Sequence, residues 1–70
     1  MNTFPSTKAK HVLAALLRIG WTVKRQTGSH KLLSRDGYSD FVFAFHHGEE
    51  IGSRMLQRIA KKTGLTPEDL

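Results

Sequence analysis

The sequence predicts an α+β fold in the order α-β-β-β-α: a three-stranded antiparallel sheet with two helices packed on one face. Three observations carry this. Apolar residues recur at helical spacing twice, over residues 8–19 and again over 53–63. The run DFVFAFH, residues 40–46, alternates with period two. Between the first helix and that run, two turn signals cut out two further strands. They are Thr27-Gly28-Ser29 and Asp36-Gly37.

Residues 1–5 read as a loose lead-in. Ser6 or Thr7 can cap the first helix by accepting a hydrogen bond from a free backbone N–H of its first turn. Its apolar stripe is Ala9, Val12, Leu13, Leu16 and Leu17, and Gly20 is a good stop because positive φ costs it little. The first strand, residues 21–26, puts Trp21 and Val23 on the packing side and Thr22, Lys24 and Gln26 on the other. The second strand, residues 30–35, follows a hairpin-length connection. The third carries Phe41, Phe43 and Phe45 alternating with Val42 and Ala44. Both of its faces are apolar, so it is expected to be central or covered. Short connections between successive strands give a meander.

Ser53 can cap the second helix, which runs to Thr63 with Gly64 as its stop. Met55, Leu56, Ile59 and Ala60 are its apolar positions, with Ile51 packed just ahead. Thr66-Pro67-Glu68-Asp69 resembles a capped helix start, frayed or docked on a partner. One economical solution covers one sheet face with both helices and leaves the other open.

Seventy residues make one domain, 1–70, with a small core that buries roughly 60% of the unfolded surface. The absence of cysteine excludes disulfides and thiolate metal sites. No apolar run approaches the ~20 residues of a membrane span, and the first ten residues lack an apolar signal core. The expected location is therefore cytoplasmic, with no membrane partner. Eleven Lys and Arg against six Asp and Glu give a net charge of +5. That balance favours nucleic acid as partner, then an acidic protein, with anionic lipid a distant third.

The chemistry concentrates on the hairpin. His30 stands just after the turn, with Lys31 beside it and Lys24 and Arg25 on the approach. RNA carries its own nucleophile, the 2′-OH, and a neutral imidazole can take that proton while the hydroxyl attacks the adjacent phosphorus. No metal or cofactor is required, and general base catalysis contributes about 10²–10⁴-fold. An exposed histidine after a turn can equally do nothing. Ser29 can bond a phosphate oxygen or serve only the turn. Lys24 and Lys31 can stabilise charge on phosphorus or simply solvate a strand. Arg54, Arg58, Lys61 and Lys62 fall along one helix face. Such a strip can track a phosphate backbone or merely solvate the helix. His46 and His47 are adjacent, so on a strand they point to opposite faces and do not share an ion. One of them can protonate the 5′-oxygen, with His47 the better fit, or pack near the helix cap.

The Gly20-Trp21 pair, the Gly28-Ser29-His30 triplet, the His47-Gly48 pair and a basic helix ending in Gly64-Leu65-Thr66-Pro67 occur in an order that resembles the HicA family. These are small toxins of type II toxin–antitoxin systems. The resemblance covers nearly the whole chain. It implies a double-stranded-RNA-binding-domain-like fold, ribosome-independent cleavage of mRNA, and a HicB-type antitoxin that covers the active site. It also implies that the catalytic histidine is His30, in the Gly-Ser-His element. The chain departs from the family at Glu49, where a lysine is frequent.

Two functions follow. One is a metal-independent mRNA endoribonuclease with His30 as general base and Ser29, Lys24, Lys31, Arg54 and Arg58 holding RNA. The other is a non-catalytic RNA-binding module that uses the same basic surface.

Overall fold

The computed structural model describes residues 4–46 and 48–70. In chain order the elements are β1 (Thr7–Lys8), α1 (Ala9–Arg18), β2 (Thr22–Thr27), β3 (His30–Ser34), β4 (Phe41–Ala44), β5 (Glu50–Ile51), α2 (Ser53–Thr63) and a closing 3-10 turn (Pro67–Asp69). Strands β2, β3 and β4 form the expected antiparallel meander, with β3 in the middle. Both helices lie on one face of it. Val12 and Leu16 of α1, and Leu56 and Ile59 of α2, share one buried cluster with Leu33 of β3 and Phe43 of β4.

The start of α1 differs from expectation. Neither Ser6 nor Thr7 caps it; Lys8 holds the cap position, with no side-chain bond. Thr7 is committed elsewhere. It pairs with Ile51 in a two-strand clasp, β1 against β5, and its hydroxyl donates to the Pro5 carbonyl. The clasp supplies the missing partner, because the Ala9 N–H donates to the Glu49 carbonyl at 2.8 Å. Of the lead-in, residues 1–3 lie outside the described residues, and Phe4 is buried in the core. The other end of α1 follows the sequence. Gly20 adopts φ +113°, its N–H donates to Leu17, and the Trp21 N–H reaches back to Leu16. This is the Schellman arrangement, which satisfies the last free carbonyls and aims Trp21 at the helix it has just left.

Gly52, not Ser53, holds the cap position of α2, and Ser53 is its first helical residue. Gly64 ends α2 in the left-handed region at φ +79°, where a Cβ would lie 2.9 Å from the Tyr38 hydroxyl. Gly64→Ala is therefore expected to cost about 1–2 kcal/mol. Differential scanning calorimetry should read this as a Tm loss of roughly 4–8 °C per kcal/mol. The final turn is not frayed but held by its own chain. Thr66 and Asp69 form a reciprocal capping box, the Arg18 guanidinium donates to the Asp69 carbonyl, and Leu70 packs against the core.

Two sheet expectations are corrected. The third strand, β4, is an edge strand, and Val42 is 55% exposed. Its apolar character on both sides does not mean burial, because a meander puts the middle strand at the centre. Val23 pairs with Leu33 on the helix-covered side, yet it is exposed while Trp21 is buried. Leu17 and Met55, on the apolar stripes of their helices, are also exposed, whereas Ala15 and Thr63 are buried.

Candidate nucleic-acid interface and catalytic histidine

The hairpin geometry is set by two residues. Thr27 and His30 pair directly, leaving Gly28 and Ser29 as the turn. Gly28 has φ +56°, and no residue other than glycine has positive φ among the described residues. Positive φ at the first turn position but not the second is the type II′ pattern, whose twist matches the flanking strands. The Ser29 carbonyl then accepts the Phe45 N–H at 2.7 Å, tying the turn to the next strand. His30 is thus the first residue of the central strand, flanked by Thr27 on one side and Ala44 on the other. The backbone is held on both sides while the side chain is exposed.

Residues opposite one another in an antiparallel pair point to the same face. Leu33 pairs with Phe41, and Lys31 with Phe43, on the helix-covered face. His30, Leu32, Val42 and Ala44 therefore occupy the open face. His30 lies away from the helices, on an accessible surface.

A bulge decides which cations share that surface. The β2–β3 register shifts between Val23 and Arg25: Val23 pairs with Leu33, and Arg25 with Leu32. The extra residue, Lys24, reverses the alternation beyond it. Arg25 therefore joins the His30 face, diagonal to the imidazole, while Gln26 pairs with Lys31 on the other face. Gln26 was expected opposite the packing side; instead its side-chain oxygen accepts from the Lys31 ammonium at 2.8 Å. Lys31 also lies 5.2 Å from the centre of the Phe45 ring, a cation–π distance. Lys31 and His30 are sequence neighbours on opposite faces.

Lys24 donates to Asp40 at 3.0 Å, with both side chains roughly half exposed. Such a surface pair is worth about 0–1 kcal/mol, so a phosphate can displace Asp40 at small cost. Arg54 and Arg58 are exposed on α2, in the helical layer and away from the His30 face. Arg58 lines a cleft between α2 and β4 together with His46. His47 lies outside the described residues. Among those described, no three His, Asp or Glu converge as a metal site requires.

The structure thus gathers His30, the Gly28-Ser29 turn and Arg25 on one surface, with Lys24 at the bulge beside them. Arg25 entered the sequence reading only as a neighbour of the turn, and no periodicity could have placed it, because the bulge inverts its face. If RNA lies on this surface, Arg25→Ala should weaken binding and lower the salt slope of log K by about 0.7–0.9. Fluorescence anisotropy with labelled single-stranded RNA, measured across a salt series, reads both.

No described helix is long and apolar enough to cross a membrane. No curated protein and no solved structure matches the chain. The profile described as the HicA toxin of bacterial toxin–antitoxin systems matches residues 9–65, from the first residue of α1 to Leu65 just beyond α2. With this match over most of its length, the chain belongs to the HicA toxin family.

Proposed function

We propose that the chain is an mRNA endoribonuclease, the toxin half of a HicA/HicB-type pair, with His30 as general base. The observation that carries this is an exposed imidazole, fixed by its backbone to strands on both sides, on an open face beside Arg25. It stands in a chain of the HicA toxin family. The neutral imidazole takes the 2′-OH proton, O2′ bonds to the adjacent phosphorus, and the P–O5′ bond breaks. The products are a 2′,3′-cyclic phosphate and a 5′-hydroxyl; O5′ takes its proton from solvent water, and the His30 imidazolium returns the one it accepted to solvent. Arg25, with Lys24 released from Asp40, stabilises the charge that builds on phosphorus. Ser29 donates its hydroxyl to a phosphate oxygen. A HicB-type antitoxin silences the toxin by covering this open face.

Purified chain incubated with single-stranded mRNA in excess chelator, at neutral pH and low salt, is expected to cut it and leave cyclic phosphate ends. Substituting a 2′-deoxynucleotide at a mapped cleavage position should block that cut. RNA that stays intact, or ends carrying a 5′-phosphate, would sink the proposal.

A further inference from the structure

Val42 and Met55, two of the residues with large exposed apolar side chains, are among those lining one cleft between the edge of β4 and α2. It measures about 570 Å³, with Phe43, Ile51 and Ile59 also in its walls. Its charged lining is Arg58, Lys61 and Lys62 against a single acid, Glu49.

The strand beside this cleft has an open edge. The Phe45 N–H donates inward to Ser29, so the alternation of an antiparallel ladder turns the Phe43 and Phe41 backbone groups inward as well. The N–H and C=O of Val42 and Ala44 then face outward. Among the described residues no strand and no backbone hydrogen bond reaches that edge. An unpaired edge with apolar side chains is a template for another strand, and β4 carries neither proline nor charge to blunt it.

Three features must be met by one occupant: outward backbone donors and acceptors two residues apart, an apolar wall, and a cationic rim. An extended polypeptide meets the first two through its main chain and alternate side chains. Acidic residues meet the third. A nucleic acid strand would match the rim but leave the edge unpaired. A second copy of this chain would bring its own charge of +5 against the cationic rim. We propose that the cleft between β4 and α2 takes an extended, acidic segment of a partner protein, which adds to the sheet as a fourth strand beside β4. This site is distinct from the imidazole and does not depend on its catalysing anything. The added strand lies about 10 Å from the His30 backbone, two strand spacings away, close enough for its side chains to crowd the open face.

The test uses the full ¹⁵N-labelled chain and a defined probe, an acetylated, amidated heptapeptide alternating Glu and Val. Saturable shifts are expected at the Val42 and Ala44 amides, with slowed hydrogen exchange at both. The double reversal Lys61→Glu/Lys62→Glu, on an exposed helix face, should weaken binding by about tenfold or more. A version of the peptide N-methylated at alternate residues should not bind. The proposal is overturned by shifts that map elsewhere, or by affinity within about twofold after the reversal. It is equally overturned if oligouridine perturbs these two amides and the peptide does not, or if they shift with protein concentration alone. No RNA cleavage is read, so this result and the ribonuclease result fail separately.

Discussion

His30→Ala is expected to lower RNA cleavage by about 10²–10⁴-fold, the usual contribution of a positioned general base, and to leave the fold in place. The second half of this expectation rests on geometry. The His30 side chain is exposed and makes no hydrogen bond among the described residues. Its backbone pairing with Thr27 and Ala44 does not depend on the side chain. Exposed substitutions of this kind stay within about 0.5 kcal/mol, so the Tm should move by no more than about 4 °C. Growth arrest on expression of the wild type, absent for His30→Ala at equal protein level, is the cellular counterpart. The experiment also separates the two functional readings. A non-catalytic RNA-binding module would lose neither toxicity nor affinity with this imidazole. Anisotropy on the variant should show most of the RNA affinity intact, because Arg25 and the turn remain. Cleavage within a few-fold of wild type would remove His30 from the chemistry.

What the sequence made legible here is what is locally encoded. Gly20 and Gly64 ended helices because left-handed backbone is cheap only for glycine, and both adopt it. The hairpin at Gly28-Ser29 declared itself for the same reason, and with it the position of His30. The β1–β5 clasp was invisible. Two-residue strands have no periodicity, and Thr7 and Ile51 are separated in the chain by α1 and the whole three-stranded sheet. The clasp also explains why the cap at Thr7 failed: a hydrophilic residue near a helix start was read by type, while tertiary pairing had already used it. The open face shows the sharper lesson. One unpaired residue, Lys24, shifted the alternation after it, so period-two reasoning put Gln26 on the wrong face and had no means of placing Arg25 beside His30. Apolarity misled in the same way at β4. Val42 and Ala44 look like the second face of a buried strand, yet they border an exposed cleft.

Trp21→Ala is expected to remove most of the stability of the domain. The indole is 1% exposed, and its Nε1–H donates to the Thr63 carbonyl at 3.0 Å. Its ring meets Tyr38 edge-on at 5.4 Å and Phe41 at 6.4 Å between centroids. The backbone N–H of the same residue closes α1. The side chain therefore joins the last turn of α2 to the sheet, while the backbone of the same residue ties both to the end of α1. Truncation of a buried aromatic costs about 3–5 kcal/mol, and an orphaned buried acceptor at Thr63 adds about 1–3 kcal/mol. A domain of this size has a total of only about 4–10 kcal/mol at the usual per-residue stability. The alanine variant should thus show no cooperative urea transition by circular dichroism at 25 °C, or one shifted to very low denaturant. Trp21→Phe separates packing from hydrogen bonding. It keeps an aromatic body and loses only the donor, so it should fold with a loss of about 1–3 kcal/mol. Because Trp21 lies under the helices and His30 on the opposite face, the folded phenylalanine variant should cut RNA at the wild-type rate below its transition. Slow cleavage in that variant would mean that the packing core sets the hairpin's position more tightly than the two-sided strand pairing of His30 requires.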